Sequence, residues 1–373
     1  MSNHLIAVVA GGLEKVAAKE IRSLGGGVGK TSEDRGRVRF EGPPDALYRA
    51  NLQLRTVERI LRPAGPPLQA KTAIQLSAAA RELPWEEWIP AGVGVRVSAT
   101  VRGCTLYHTG AVTDAIREAL VYRGLSGEPA EDGAPTIDVR GTGDHWMLAM
   151  DTSGASLHRR GYRKATAKAP LRETLAAALL LRAGWTGAVP FLDPMCGSGT
   201  LVAEAAAIAA RRPPGLDRGF AFEAFPSFDR AVWQEVVGRA RAKHEEPRTL
   251  PAIVGADGAK GAVRAARSNL ERASLAGITT ILERRIQDTP PTEGPGLVVV
   301  NPPYGRRIPA GRDAAAAQGE WAAWGRILRE RLPGWTICML SPDKSLGEAA
   351  GSTGKPLLRT SNGGISVALV KLG

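Results

Sequence analysis

The chain has 373 residues, 43% apolar and 23% charged, which suits two or three folded domains with buried cores and excludes wholesale disorder. Lys and Arg number 49 against 37 Asp and Glu, a surplus of +12 that favours polyanionic partners. That surplus is spread as +4 over 1–165, +2 over 166–250 and +6 over 251–373, which argues for a basic surface on folded domains rather than a basic tail.

Cys104, Cys196 and Cys338 are few and far apart, and no CxxC or Cys/His cluster occurs, so neither a disulfide framework nor a metal site is expected. No apolar run approaches the ~20 residues of a membrane span, since LAAALLL stops at Arg182. No basic n-region precedes the short apolar run near the N-terminus, so no signal peptide is predicted. A cytoplasmic monomer without a membrane partner is the expectation.

Residues 5–10 (LIAVVA) read as a buried strand, Gly11-Gly12 as a turn, and 13–24 as a helix with Leu13, Val16, Ala17, Ile21 and Leu24 on one face. Gly25–Gly27 ends that helix and 36–40 alternates as a strand, which predicts a small ferredoxin-like unit over 1–42. Residues 43–61 carry a helical pattern, punctuated afterwards by Pro63, Pro66 and Pro67. A strand at 93–102, a helix at 108–123 with Thr109 or Thr113 as cap, and strands at 136–150 and 155–160 make a second α/β module over 43–155.

The remainder, 156–373, has a different texture. A helix over 169–184 begins near Pro170 and stops at Gly184. Strands at 189–193, 252–256, 279–284, 296–301 and 335–341 alternate with helices at 200–210, 259–273 and 318–332. GLVVVN and WTICMLS are nearly all apolar, as buried parallel strands of a doubly wound sheet are. An insertion at 211–248 holds a helix at 228–243, and 357–371 reads as a hairpin about Asn362-Gly363-Gly364.

Four motifs carry chemistry. In FLDPMCGSGTLVAEAA (191–206), a strand ending at Asp193 runs through Cys196, Gly197, Ser198 and Gly199 into a helix opening at Thr200. Glycines let the backbone approach a ligand, and amides at a helix start suit a polar or anionic group. No Gly-Lys-Ser/Thr follows, so this is not a P-loop. In IVGADGAKG, Asp257 ends a strand before a helix, where a ribose diol finds its carboxylate. RRIQDTP places Asp288 by the same topology near the far edge of such a ligand. In VVVNPPYGRR, a buried strand runs into Asn301, Pro302, Pro303 and Tyr304. Two prolines remove two amide donors, so the loop offers carbonyl acceptors; Asn301 adds a side-chain acceptor and Tyr304 a stacking face. The set suits a planar base bearing an exocyclic amino group.

The pair DPMCGSGT and NPPYG, in this order, resembles the Rossmann-fold methyltransferases that use S-adenosylmethionine and modify exocyclic amino groups. The stretch HRRGYRKATAKAPLRETLAAALLLRAGW, with LDPMCGSGTLVAEAA, RRPPGLDRGF and WQEV, is similar to the THUMP-domain RNA guanine-N2 methyltransferases, most of all their 23S rRNA branch. The resemblance implies an α/β protein whose ferredoxin-like and THUMP RNA-binding regions precede a Rossmann-like catalytic domain. It implies S-adenosylmethionine as cofactor and RNA, rRNA first, as substrate. The family often has a further acidic residue after the ribose-binding one; Ala259 and Lys260 stand there instead.

On this reading Asn301 Oδ1 and the Pro302 carbonyl accept the two hydrogens of a guanine amino group, and Tyr304 stacks on a flipped base. The basic run Arg159, Arg160, Arg163, Lys164 and Lys168, with Arg306 and Arg307, is expected to touch phosphates. Three alternatives stand beside it. They are guanine-N2 methylation of a tRNA acceptor stem, DNA adenine methylation, and a non-catalytic RNA-binding assembly factor.

Overall fold

The structure is a computed structural model and describes residues 3–130, 133–163, 171–290, 292–304 and 314–373. Lys164, Lys168, Pro170, Arg306 and Arg307 lie outside the described residues. The first half contains β1 (Asn3–Val8), α1 (Glu14–Ser23), β2 (Thr31–Asp34), β3 (Arg37–Gly42), α2 (Ala46–Gln53), β4 (Arg59–Pro63) and β5 (Leu68–Gln69). It continues with α3 (Ala73–Arg81), β6 (Arg96–Arg102), α4 (Thr109–Tyr122), β7 (Thr136–Thr142) and β8 (His145–Asp151). These strands form one sheet in the order β2-β3-β1-β4-β8-β7-β6, with β5 also on β8. Helix α1 sits on it through Val16, Ala17 and Ile21 of the predicted face, with Ala18 buried beside them, Leu13 buried just before the helix and Leu24 half-buried after it.

The second half contains α5 (Glu173–Arg182), β9 (Phe191–Asp193), α6 (Thr200–Ala209), α7 (Arg230–Glu245), β10 (Ile253–Asp257), α8 (Lys260–Arg272), β11 (Thr280–Glu283) and β12 (Leu297–Val300). It ends with α9 (Ala314–Arg331), β13 (Thr336–Ser341), α10 (Lys344–Ala349), β14 (Leu358–Asn362) and β15 (Ile365–Lys371). The sheet runs β11-β10-β9-β12-β13-β15-β14. Its first five strands are parallel, and the β14–β15 hairpin closes it antiparallel. The chain enters at the central β9, moves outward through β10 and β11, then crosses back to β12 and β13. The resulting switch point between β9 and β12 is where open α/β sheets bind ligands. All four residues of β12 are buried, as its unbroken apolar run requires. Gly363 and Gly364 take φ of 59° and 84°, which is why this hairpin turn carries two glycines.

Three expectations change. The helical pattern over 43–61 stops at Gln53, and Arg59–Pro63 is a strand beside β1 and β8. Its short apolar run fits either structure, and sheet pairing decides. Residues 155–160 form no strand; they make turns held by side chains of both halves. Helix α4 has no side-chain cap, and the Thr113 hydroxyl donates back to the Thr109 carbonyl at 2.9 Å.

The two sheets are joined by polar and aromatic contacts. Glu58, just before β4, accepts hydrogen bonds from the Ser156 hydroxyl at 2.7 Å and from the Thr174 hydroxyl at the start of α5, and pairs with His158 at 2.8 Å. The insertion packs on α2, with Tyr48 against Phe222 at 4.8 Å between ring centres and Phe222 against Trp233 at 5.1 Å. Burial alone would raise the Glu58 carboxyl, but its bonds to His158, Thr174 and Ser156 hold it down at about 2. A depressed carboxyl stabilises the fold above its ordinary value of 4.5 and loses that contribution as pH falls through about 2. Glu58→Gln is therefore expected to lower the melting temperature at pH 7, and the gap to the unmodified protein should narrow below pH 4.5. Thermal melts across that range check this; equal melting temperatures at pH 7 would count against the clamp.

Candidate active site at the carboxyl ends of the parallel strands

Three adjacent strands set the site. Asp193 of β9 stands beside Gly255 of β10, so Asp257 lies two residues further along. Leu192 stands beside both Val254 and Val298, so Asn301, just past β12, lies at a similar height on the opposite side of β9. At ~3.3 Å per residue, both side chains start about 6–7 Å beyond Asp193. The loop Cys196–Gly199 follows β9 and meets the end of β10.

The glycine loop is fixed by its own amides. Cys196 N–H donates to the Ala256 carbonyl at 2.9 Å, and Gly199 N–H to the Cys196 carbonyl at 2.8 Å. Gly197 N–H donates to Asp257 Oδ2 at 2.9 Å, and Ala259 N–H to Asp257 Oδ1 at 2.8 Å. Asp257 thus faces the loop with each oxygen holding one backbone donor and keeping further acceptor capacity. Gly199 has φ of 82°, and a Cβ there would come within 3.1 Å of the Ala266 Cβ on α8. Only glycine gives both that backbone angle and that close approach.

Asp193 is buried, and Met195 N–H donates to its Oδ1 at 3.2 Å. Burial first, then the charge of Asp257, push its carboxyl up to about 8. The same burial and the charges of Asp193 and Asp257 push the Cys196 thiol up, which leaves it protonated and unsuited to nucleophilic chemistry. Its place is that of a small buried side chain. Asp288 lies exposed in a 3-10 turn after β11, on the Asp257 side of the sheet.

Asn301 Oδ1 is buried and has no hydrogen-bond partner among the described residues. Such an acceptor costs about 1–3 kcal/mol when left unmade, so the site is built for an incoming donor. Tyr304 departs from its expected role. Its ring is buried in the core and its hydroxyl accepts from Asn362 Nδ2 at 2.7 Å, so it anchors the loop to the hairpin rather than offering an open face.

The basic run also departs from expectation. Arg160 is buried and donates to the Leu157 and Arg55 carbonyls at 2.6 Å each, beside Glu204 at 3.3 Å. Arg163 pairs with Glu173 at 3.2 Å and donates to Thr200 Oγ1 at 2.7 Å. Both guanidiniums are spent inside the protein, and only Arg159 of the described members is exposed. Asn269 is a further participant that the motifs did not single out. Its Nδ2 donates to the Ser198 carbonyl at 3.0 Å, and Arg272 ties its Oδ1 to the Tyr162 segment. Its only sequence signal was a polar residue on the inner face of an amphipathic helix.

The sequence profile of the RMKL-like methyltransferase domain matches residues 160–371, and that of the RlmL ferredoxin-like domain matches 4–61. A protein of Synechocystis sp., an RNA methyltransferase by assignment, is 33% identical over 372 residues, covering 98% of this chain and 95% of that one. The ribosomal RNA large subunit methyltransferase K/L of Allochromatium vinosum is 36% identical over 388 residues. That match covers 99% of this chain and 52% of the relative, so the chain spans about half its length. The crystal structure of SMU.472, a methyltransferase by assignment complexed with SAH, superposes with a TM-score of 0.87 at 29% identity, covering 100% of this chain and 98% of that chain.

A raised carboxyl favours the fold while protonated and loses that contribution as pH rises through about 8. Asp193→Asn should therefore melt progressively higher than the unmodified ligand-free protein as pH rises from 5 to 9. Paired melts at five pH values measure it, and a pH-independent difference would remove Asp193 from its buried, charge-facing position.

Proposed function

This chain belongs to the RMKL-like methyltransferase family with an N-terminal ferredoxin-like domain, and from that premise we propose that it methylates the exocyclic N2 amino group of a guanosine in 23S rRNA, using S-adenosylmethionine. The observation that carries the reading is the orphaned Asn301 Oδ1, at the end of a buried strand and beside a loop whose next two residues lack amide hydrogens. The K/L relative supports large-subunit rRNA over tRNA as the substrate. We read 1–42 as the ferredoxin-like domain, 43–155 as a THUMP domain that grips RNA, and 156–373 as the catalytic domain.

The donor set fits the cofactor. Asp257 suits a ribose diol, Asp193 a cationic centre, the glycine loop of Cys196, Gly197, Ser198, Gly199 and Thr200 a close backbone approach, and exposed Asp288 the base edge. When bound, S-adenosylmethionine supplies a methyl group activated by its sulfonium. The protein does the rest by placement. A guanine amino group is a poor nucleophile because its lone pair is delocalised into the ring. Asn301 Oδ1 accepts one of its hydrogens and the Pro302 carbonyl the other, which turns the lone pair out of the ring plane. Pro303 keeps the loop rigid. No strong base is required, because the amine sheds its proton once it has become cationic.

Asn301→Ala should lower single-turnover methylation by about 10²–10³, as loss of one preorganised hydrogen-bonding group does, with a smaller change in cofactor affinity. RNA carrying inosine at the target should bind yet receive no methyl group. Normal transfer by the variant would end the role of Asn301. Normal transfer to the inosine RNA would end the N2 assignment and return the adenine reading.

A further inference from the structure

A second opening lies away from the proposed cofactor edge. A cleft of about 1440 Å³ lies between α1, the carboxyl-terminal ends of α5 and α6, and the start of β14. Helix α6 begins at the glycine loop with Thr200 and reaches the cleft near Ile208. At 1.5 Å per residue this puts the cleft roughly 12–15 Å behind the cofactor loop, toward the opposite edge of the sheet. Its walls come from both halves of the chain. They are held together where the Thr360 hydroxyl donates to the Gly11 carbonyl at 2.8 Å and Arg55 donates to the Ala207 carbonyl at 3.1 Å.

The lining is strongly basic. Lys15, Lys19, Arg182, Lys243, Lys355 and Arg359 contribute to it from four separate segments, and all six are exposed. Among the described residues none of the six has a carboxylate within ion-pair distance, although 18 such pairs occur elsewhere. Glu20 is the single acidic residue in the lining, and its oxygens are turned away, accepting from Arg55 N–H at 2.6 Å and the Thr56 hydroxyl at 2.7 Å. Lys15 and Lys19 stand one turn apart on the same face of α1. Like charges at that spacing destabilise a helix. A cleft that gathers cations at such cost, and holds its one carboxylate out of play, is complementary to a run of phosphates.

We propose that this rear cleft is a second RNA track, which binds the sugar–phosphate backbone of a segment flanking the target while the target base occupies the front edge. The inference rests on the RNA reading above and adds where a long substrate is held. A short stem-loop fills only the front; a longer RNA reaches round the α5–α6 side and engages the cleft. No base is read there, so the contribution is independent of the flanking sequence.

The test uses the full chain with Lys15, Lys19, Lys355 and Arg359 all replaced by Gln. Two RNAs are titrated from 50 to 300 mM salt: the shortest stem-loop that is still methylated, and the same stem-loop extended by 20 nucleotides on each side. S-adenosylmethionine affinity, unchanged in the variant, reports that it is folded. For the extended RNA the log–log salt slope should fall in magnitude by about 0.7–0.9 for each residue that touches a phosphate, or about 3 in all. KM for that RNA should rise while kcat stays the same, and the short stem-loop should behave alike with both proteins. Equal slopes for the two proteins on the extended RNA would overturn the track. An equal fall on the short stem-loop would also overturn it, by placing these cations with the target rather than its flank. If the unmodified protein binds neither RNA, the RNA reading itself falls, which a cleft-specific failure does not imply.

Discussion

The register of three parallel strands governs the rest of the molecule. Leu192 of β9 lies level with Val254 on one side and Val298 on the other, and the candidate site residues Asp193, Asp257 and Asn301 are positioned by counting forward from that row. Asp193 ends β9 early, which leaves room for the glycine loop. Asp257 and Asn301 end their strands later and rise on either side of it. A slip of one residue in either neighbour would turn Asp257 or Asn301 to the other face of the sheet. The buried apolar run of β12 and the tight approach at Gly255, where a Cβ would meet Val202 at 2.7 Å, both hold the register.

A second constraint comes from buried polar groups between the two sheets. Glu58 gathers Ser156, His158 and Thr174, while Arg160 reaches the Arg55 backbone and Glu204. Buried charges of this kind are costly unless paired, and removing one partner strands the other. They give the two sheets a fixed relation. The same network touches the glycine loop, because Arg163 holds Thr200 and Arg272 holds Asn269, which in turn holds Ser198. The 157–163 segment therefore links the N-terminal sheet to the loop that shapes the site.

Much of this is legible in the residues alone. The long apolar strands, the glycine loop and the Asn301-Pro302-Pro303-Tyr304 run each have a local physical cause that reads directly from the residues. The hairpin at Gly363-Gly364 was equally plain. What escaped notice depends on distant partners. Strand β2 (TSED) is polar and largely exposed, so it has no apolar alternation to betray it. Arg160 and Arg163 look like surface cations in sequence, because only the fold reveals that Glu204, Glu173 and backbone carbonyls surround them. Tyr304 follows the same rule: a tyrosine after two prolines reads as an open platform until Asn362, 58 residues later, is found on its hydroxyl.

On the proposed function a cationic ligand sits beside Asp193, whose carboxyl burial and the charge of Asp257 push up to about 8. A cation placed there favours the ionised form, so binding must expel a proton. The measurement is calorimetric titration of S-adenosylmethionine at pH 7.5 in two buffers of different ionisation enthalpy, on the unmodified protein and on Asp193→Asn. A buffer-dependent heat corresponding to release of most of one proton is expected in the unmodified protein, over and above whatever the variant shows. Identical proton release by the two proteins would contradict it and place the cofactor away from Asp193.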